Sequence, residues 1–469
     1  MRKKQALVLL CVALLFVGCA ARRYQSAPIA PAETASRLQA RNLGDLGLRT
    51  FLEKNRPTFT AWPPARWNLE MLSLAALYFN PALEAARAHV IGTQAAIVNA
   101  GARPNPNLSV APGVPSPYLF SLDLAFPIET AGKRGHRVQV ARSLDQAARL
   151  DLADSAWKIR SAVRSALVDY LLASRNREAL QIEERVRAAQ VKILEERLAV
   201  GEIPRPEVDA ARIELAKTQL GISNADGQIA EAKASLAASI GIPVSGLQAF
   251  EFSWPDFDSP PGSDSFSPQT IQRDAVLNRL DVRRALAEYS AAEADLQLEI
   301  AKQYPDVQIG PGYTYEERNN FFTVGLSVTL PLFNRNQGPI AEAEARRKES
   351  EAAFLLTQAH VIAQGELANA SYYAAQKELA QADQSLRNLQ DSQLQMMQHA
   401  VSAGEDDQLA LNGLQLQAVA VTRSRLDALT RAQNALGALE DAVERPLDPD
   451  DTFPFNLNSL NQIPAEANQ

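Results

Sequence analysis

A chain of 469 residues with a formal net charge of −7 is long enough to bury a large core and too acidic to be a natural partner for nucleic acid. Hydrophobic residues make up 46% of it but aromatic ones only 6%. Much of the apolar content is alanine, which argues against an ordinary globular enzyme and for long helices packed side by side.

The first residues read as an address. Arg2, Lys3 and Lys4 precede an apolar run from Ala6 to Val17, too short and wrongly flanked for a membrane-spanning helix but suited to a secretory signal over residues 1–18. The run closes on Phe16-Val17-Gly18-Cys19, which resembles a bacterial lipobox, where cleavage precedes a cysteine that receives lipid. Phe16 departs from the usual leucine, and ordinary cleavage near Gly18 or Ala20 is the alternative. With cleavage before Cys19 the mature chain keeps one cysteine and forms no internal disulfide. Loss of the three basic residues moves the net charge from −7 to −10. Residues 19–66 then form a lipidated N-terminal segment.

From residue 67 the chain is written twice. "ARPNPNLSVAPGV" at 102–114 matches "AKQYPDVQIGPGY" at 301–313, and "FSLDLAFPIETAGKRG" at 120–135 parallels "TVGLSVTLPLFNRNQG" at 323–338. The first repeat spans 67–245. It holds strands near 107–127, a helix over 136–200 free of glycine and proline, a tip at 201–206 and a return helix over 207–240. At 1.5 Å per residue the long helix is about 95–100 Å in length. A linker at 246–270, rich in Pro, Ser, Asp and Phe, leads to the second repeat at 271–445. There the strands lie near 306–331, the long helix at 340–403, the tip at 404–408 and the return helix at 409–443. A tail follows at 446–469.

The strands, expected at 107–116, 119–127, 306–315 and 321–331, alternate with period two. Val324, Leu326, Val328 and Leu330 interleave with Thr323, Gly325, Ser327 and Thr329. Phe120, Leu122, Leu124 and Phe126 do the same with Ser121, Asp123 and Ala125. One such strand fits a half-buried sheet in any soluble domain. Four of them would need a covering layer that the sequence does not offer, whereas a membrane barrel explains the pattern with lipid outside and water inside. Four strands are too few to close a barrel, so several chains must share one.

The signal and cysteine, the duplicated unit, "LAFPIETAGKRG" and "TLPLFNRNQG" before the long helices, and "AVGEI" at the tip resemble the outer-membrane factor (TolC-like) family of tripartite efflux pumps. The likeness covers residues 67–445. It implies a mainly α protein with a membrane β-barrel, in which a homotrimer makes a 12-stranded barrel continued by a long periplasmic α-helical barrel. It further implies an outer-membrane location, a periplasmic adaptor (membrane fusion) protein and an inner-membrane RND transporter as partners, and no enzymatic activity or cofactor. The pairing of "PIETAGKRG" with "PLFNRNQG" is similar to the heavy-metal cation branch of cobalt-zinc-cadmium type.

Within that frame, Gly201 and Gly404 mark the tip turns, and Glu202, Arg205, Glu405, Asp406 and Asp407 are gate candidates. The three consecutive acids would place nine carboxylates around a trimer axis, closed with Arg205 or a neighbouring basic residue. Helix capping by Asp406 and Asp407 is the competing reading. The family's gate carboxylates further along this helix are missing, since Ala410 and Gly413 stand near those positions. Tyr118, Phe120, Tyr313, Tyr315, Phe321 and Phe322 are candidates for an aromatic girdle at the membrane surface, or for a packed loop cluster. Pro127 and Pro331 are expected to end the strands where barrel gives way to helix.

No catalytic motif emerges. His89, His136, His360 and His399 are scattered without metal-ligand spacing, and no nucleotide-binding or nucleophile motif is present. The rival readings are a duct for drugs or secreted proteins, and a lipid-anchored periplasmic coiled-coil scaffold without a pore.

Overall fold

The computed structural model describes residues 23–55, 61–113, 119–263, 266–388 and 393–447. Cys19, Tyr118 and the tail from residue 448 lie outside them. The chain divides into a unit up to Arg41 and a unit from Asn42 onward. The described part of the first holds helix α1, Pro31–Gln39, with no buried residue.

In the second unit the duplicated sequence becomes duplicated elements. After α2, Leu46–Asn55, and the two-residue strand β1, Arg66–Trp67, the first copy opens on α3, Leu69–Phe79, and α4, Pro81–Ala100. Strands β2, Asn107–Pro112, and β3, Leu119–Ile128, follow. Helix α5, Lys133–Ala199, is 67 residues long, and α6, Arg205–Ile240, returns beside it. Strand β4, Glu251–Phe252, pairs in parallel with β1 and leads toward the second copy. That copy runs α7, Pro268–Asn278; α8, Leu280–Ala301; β5, Val307–Glu316; β6, Asn319–Val328; α9, Gln337–Asn388; α10, Gln395–Ala403; and α11, Gln408–Val443.

Of the helix expected over 340–403, residues 340–388 and 393–403 are described, and residues 389–392 lie outside the described residues. Helix α9 is described as far as Asn388, and a π-type turn at residues 393–394 leads into α10 at Gln395. The return helices start at Arg205 and Gln408, one to two residues earlier than expected. Pro206 is tolerated inside the first turn, where its missing N–H is not needed.

Helix α5 packs against α4, α6, α8 and α11, and α9 packs against α8 and α11. Ala141, Ala148, Leu152, Ala156, Ile159, Val163 and Leu167 recur along α5 at spacings of three, four or seven and are all buried. Alanines such as Ala285, Ala291 and Ala294 of α8 let neighbouring helix axes approach closely. The largest core cluster joins Trp67, Leu72, Leu83, Leu152, Val163, Leu236 and Ile240 around the middle of α5.

Two buried arginines of the first repeat converge on one buried carboxylate of the second. Arg160 and Arg164 of α5 both reach Glu440 of α11, at 3.1 and 3.2 Å. Arg164 also donates to the Gln433 backbone carbonyl at 2.9 Å, and Gln433 Nε2 donates to the Phe257 carbonyl at 2.6 Å. Linker and both repeats are thus tied at one buried point.

Candidate functional site

The four longer strands form one antiparallel sheet in the order β2-β3-β5-β6. Its register stacks the alternation seen in sequence into two distinct faces. Val110, Leu122, Tyr313 and Phe322 form one cross-strand row, and Phe126, Ile309 and Leu326 another on the same face. The opposite face carries the row Ser109, Asp123, Gly312 and Thr323 and the row Ala111, Ser121, Thr314 and Phe321. The apolar face lies open: Phe322 is 83%, Val324 78% and Leu326 70% exposed. An uncovered apolar sheet face of this extent calls for an apolar partner, lipid or protein. Among the described residues no helix is long and apolar enough to cross a membrane.

The girdle candidates separate. Phe120, Tyr313, Tyr315 and Phe322 share the apolar face near the hairpin end, with the Tyr313 and Phe322 ring centroids 5.4 Å apart and Tyr313 Oη donating to Asn320 at 2.7 Å. Phe321 points the other way, a correction that follows from its odd position beside Phe322 in the same strand. The two prolines are not equivalent either. Pro127 sits inside β3 opposite Gln308, whereas Pro331 lies three residues beyond the end of β6. A ladder accepts Pro127 near the strand end, where one missing donor costs little.

Below the sheet, the "PIETAGKRG" motif acts as a clamp between repeats. Lys133 is buried and donates through Nζ to the Tyr304 carbonyl and to Asp306, both at 2.7 Å. Thr130 binds the same carboxylate through its N–H at 3.0 Å and the Pro305 carbonyl through its hydroxyl at 2.7 Å. Arg137 pairs with Glu129. In the second copy Asn336 takes a comparable place, donating to the Glu299 carbonyl and carboxylate at 2.8 Å.

At the far end of the hairpins the two tips are built alike. Gly201 and Gly404 have φ of +79° and +75°, a conformation that glycine adopts without the steric penalty of a side chain. Gly201 N–H bonds the Leu198 carbonyl and Glu202 N–H the Arg197 carbonyl, both at 3.0 Å. Gly404 and Glu405 repeat this with Val401 and Ala400, so each tip is a Schellman turn.

The acids at the second tip have distinct roles. Asp407 is the N-cap of α11 and accepts from Leu409 N–H at 3.2 Å, while Asp406 accepts from Asp407 N–H at 2.7 Å. Asp407 also forms an ion pair with Arg197, in the last turn of α5. The Arg197 guanidinium, then the Leu409 N–H, hold the Asp407 carboxyl below its ordinary range. Arg205, the basic residue singled out in sequence, instead lies 3.7 Å from Asp209 on its own helix and stays exposed. Arg197 was missed because its partner sits in the other repeat. Among the described residues no group of three or more His, Cys, Asp or Glu is placed to hold a metal ion.

A sequence model of the family described as outer membrane efflux protein matches residues 72–242 and 272–443, one segment in each repeat. The cobalt-zinc-cadmium resistance protein CzcC of Cupriavidus metallidurans is 27% identical over 289 residues, covering 61% of this chain and 67% of that protein. Among solved structures, the outer membrane protein VceC of Vibrio cholerae aligns with a TM-score of 0.64 at 21% identity, over 80% of this chain and 95% of its own. CusC aligns at 0.63 and 18%, covering 91% and 100%, and the Campylobacter jejuni CmeC outer membrane channel at 0.65 and 14%, covering 96% of each. At these identities the structures establish a shared fold.

Proposed function

This chain belongs to the outer membrane efflux protein family, and on that premise we propose that it is the outer-membrane exit duct of a tripartite RND-type system exporting heavy-metal cations. The observation that carries the duct is the two-faced sheet. It has an exposed apolar side, a small and polar side, and two edge strands, β2 and β6, each paired on one flank only among the described residues. Unpaired edges in hydrocarbon are prohibitively costly, so the sheet must close through further copies. Three copies give twelve strands, an even number within the range of bacterial barrels.

The long helices of such a trimer continue the passage into the periplasm, where an adaptor and an inner-membrane transporter supply cargo and energy. Cys19 is proposed as the lipid anchor. The tip formed by Gly201, Gly404 and the Arg197–Asp407 pair is proposed as the closed end, held by exposed ion pairs that a partner can break at modest cost. The choice of metals over drugs rests on the CzcC relative. Growth of a deletion strain on cobalt, zinc and cadmium tests it: restored metal tolerance on complementation is expected. Sensitivity to drugs alone would remove the cargo assignment and leave the duct standing.

A further inference from the structure

We propose that Asp123 sets the cation preference of the passage where it crosses the membrane, an inference that rests on the duct reading above. The strands β2, β3, β5 and β6 contain two charged residues, Asp123 and Glu316, and both are acidic. Glu316 closes its strand at the hairpin. Asp123 is the fifth residue of the ten in β3, near mid-length, and faces Gly312, the sixth of the ten in β5.

Its side chain belongs to the small, polar face, opposite the one that carries Leu122 and Leu124. Only that orientation is tolerable, because an ionised carboxylate turned toward hydrocarbon would have no compensating partner. Among the described residues Asp123 forms no ion pair, so its charge is left to act on the water beside it.

Gly312 fixes where that charge sits. A Cβ built there would lie 2.5 Å from Asp123 Oδ1 and 2.5 Å from Thr323 Oγ1. The carboxylate from β3 and the hydroxyl from β6 therefore lean over the bare backbone of β5 from either side. With Ser109 completing the row, the neighbourhood is a carboxylate with flanking hydroxyls, all hard oxygen groups and no imidazole or thiolate. Such a set attracts cations without the soft ligands that would retain a transition metal. Symmetry in a closed assembly repeats Asp123 at one height, and a ring of one sign in a low-dielectric wall focuses its field across the passage.

The test is the reversal potential of purified protein in planar bilayers under a potassium chloride gradient at low ionic strength. Asp123→Asn lowers the potassium-to-chloride permeability ratio by about threefold or more, and the difference shrinks in molar salt as the Debye length falls to about 3 Å. Asp123→Glu keeps the wild-type ratio, and Asp123→Ser, a residue already present at positions 109 and 121, repeats the loss with a second side chain. The same comparison in an Asp406→Ala, Asp407→Ala background removes the tip acids as the source of selectivity. Wild-type preference retained in both neutral variants overturns the role of Asp123 while leaving the duct intact. Absence of current from the wild type overturns the duct reading, and this inference with it.

Discussion

Arg197 and Asp407, 210 positions apart in sequence, join the last turn of α5 to the N-cap of α11 and so connect the two hairpin tips within one chain. Each residue is also tied to its own turn: the Arg197 carbonyl accepts from Glu202, and the Asp407 carboxylate caps α11. A break in the pair frees both tips at once.

Removing either partner is therefore expected to raise channel conductance. Arg197→Ala and Asp407→Ala should each increase the current, and the double variant should add little beyond either single, because the two act as one unit. Single-channel recording of the three variants checks this. Additive increases would show that the residues act separately.

Acid should act on the same pair. The folded Asp407 carboxyl is held below its ordinary value of 3.8, so the pair persists above that value and is lost as pH falls through the lowered one. Conductance should stay level from pH 7 to about pH 4 and rise below it. A rise centred near pH 6 would point to a histidine instead.

The apolar face of the sheet, proposed to meet lipid, is tested by moving one charge. Val324→Arg places a guanidinium on the apolar face near mid-strand, at a cost of about 2–4 kcal/mol at a bilayer midplane. Ser327→Arg, on the opposite face, should be tolerated. Assembled protein in outer-membrane fractions should drop for the first and persist for the second.

The tie between repeats carries a larger energy. Glu440→Ala leaves Arg160 and Arg164 buried without their shared carboxylate, and a loss of about 3–5 kcal/mol is expected. Thermal melting in detergent should fall clearly. Replacing Arg160, Arg164 and Glu440 together by apolar residues of similar volume should recover much of the loss.

Glu444 makes stability depend on pH in the opposite sense to Asp407. Burial pushes its carboxyl up to about 7, outweighing the Leu280 N–H and Arg279, which favour the charged form. The folded state then holds a proton that the unfolded state releases near pH 4.5, so stability falls as pH rises from about 4.5 to 7. The fall attributable to this group is at most about 3 kcal/mol. Melting curves across that window should slope downward in the wild type and flatten in Glu444→Gln.

Local periodicity made much of this architecture legible. The alternation at Val324, Leu326 and Val328 was enough to assign a face, and the glycine-free run after His136 was enough to foresee a helix of unusual length. Pairings between repeats left no such trace. Nothing near Arg197 points to Asp407, and Lys133 reads as a solvated lysine until Asp306 and the Tyr304 carbonyl are brought beside it. Phe321 and Phe322 look equivalent as an aromatic pair, yet the pleat sends them to opposite faces.

The proposed duct requires that open-edged sheets from several copies close around water within the membrane. Current through planar lipid bilayers containing purified protein tests it most directly. Discrete, long-lived conductance steps that grow when Arg197 is replaced by alanine are expected. Protein that incorporates into the bilayer yet passes no current, as wild type and as Arg197→Ala alike, would contradict it.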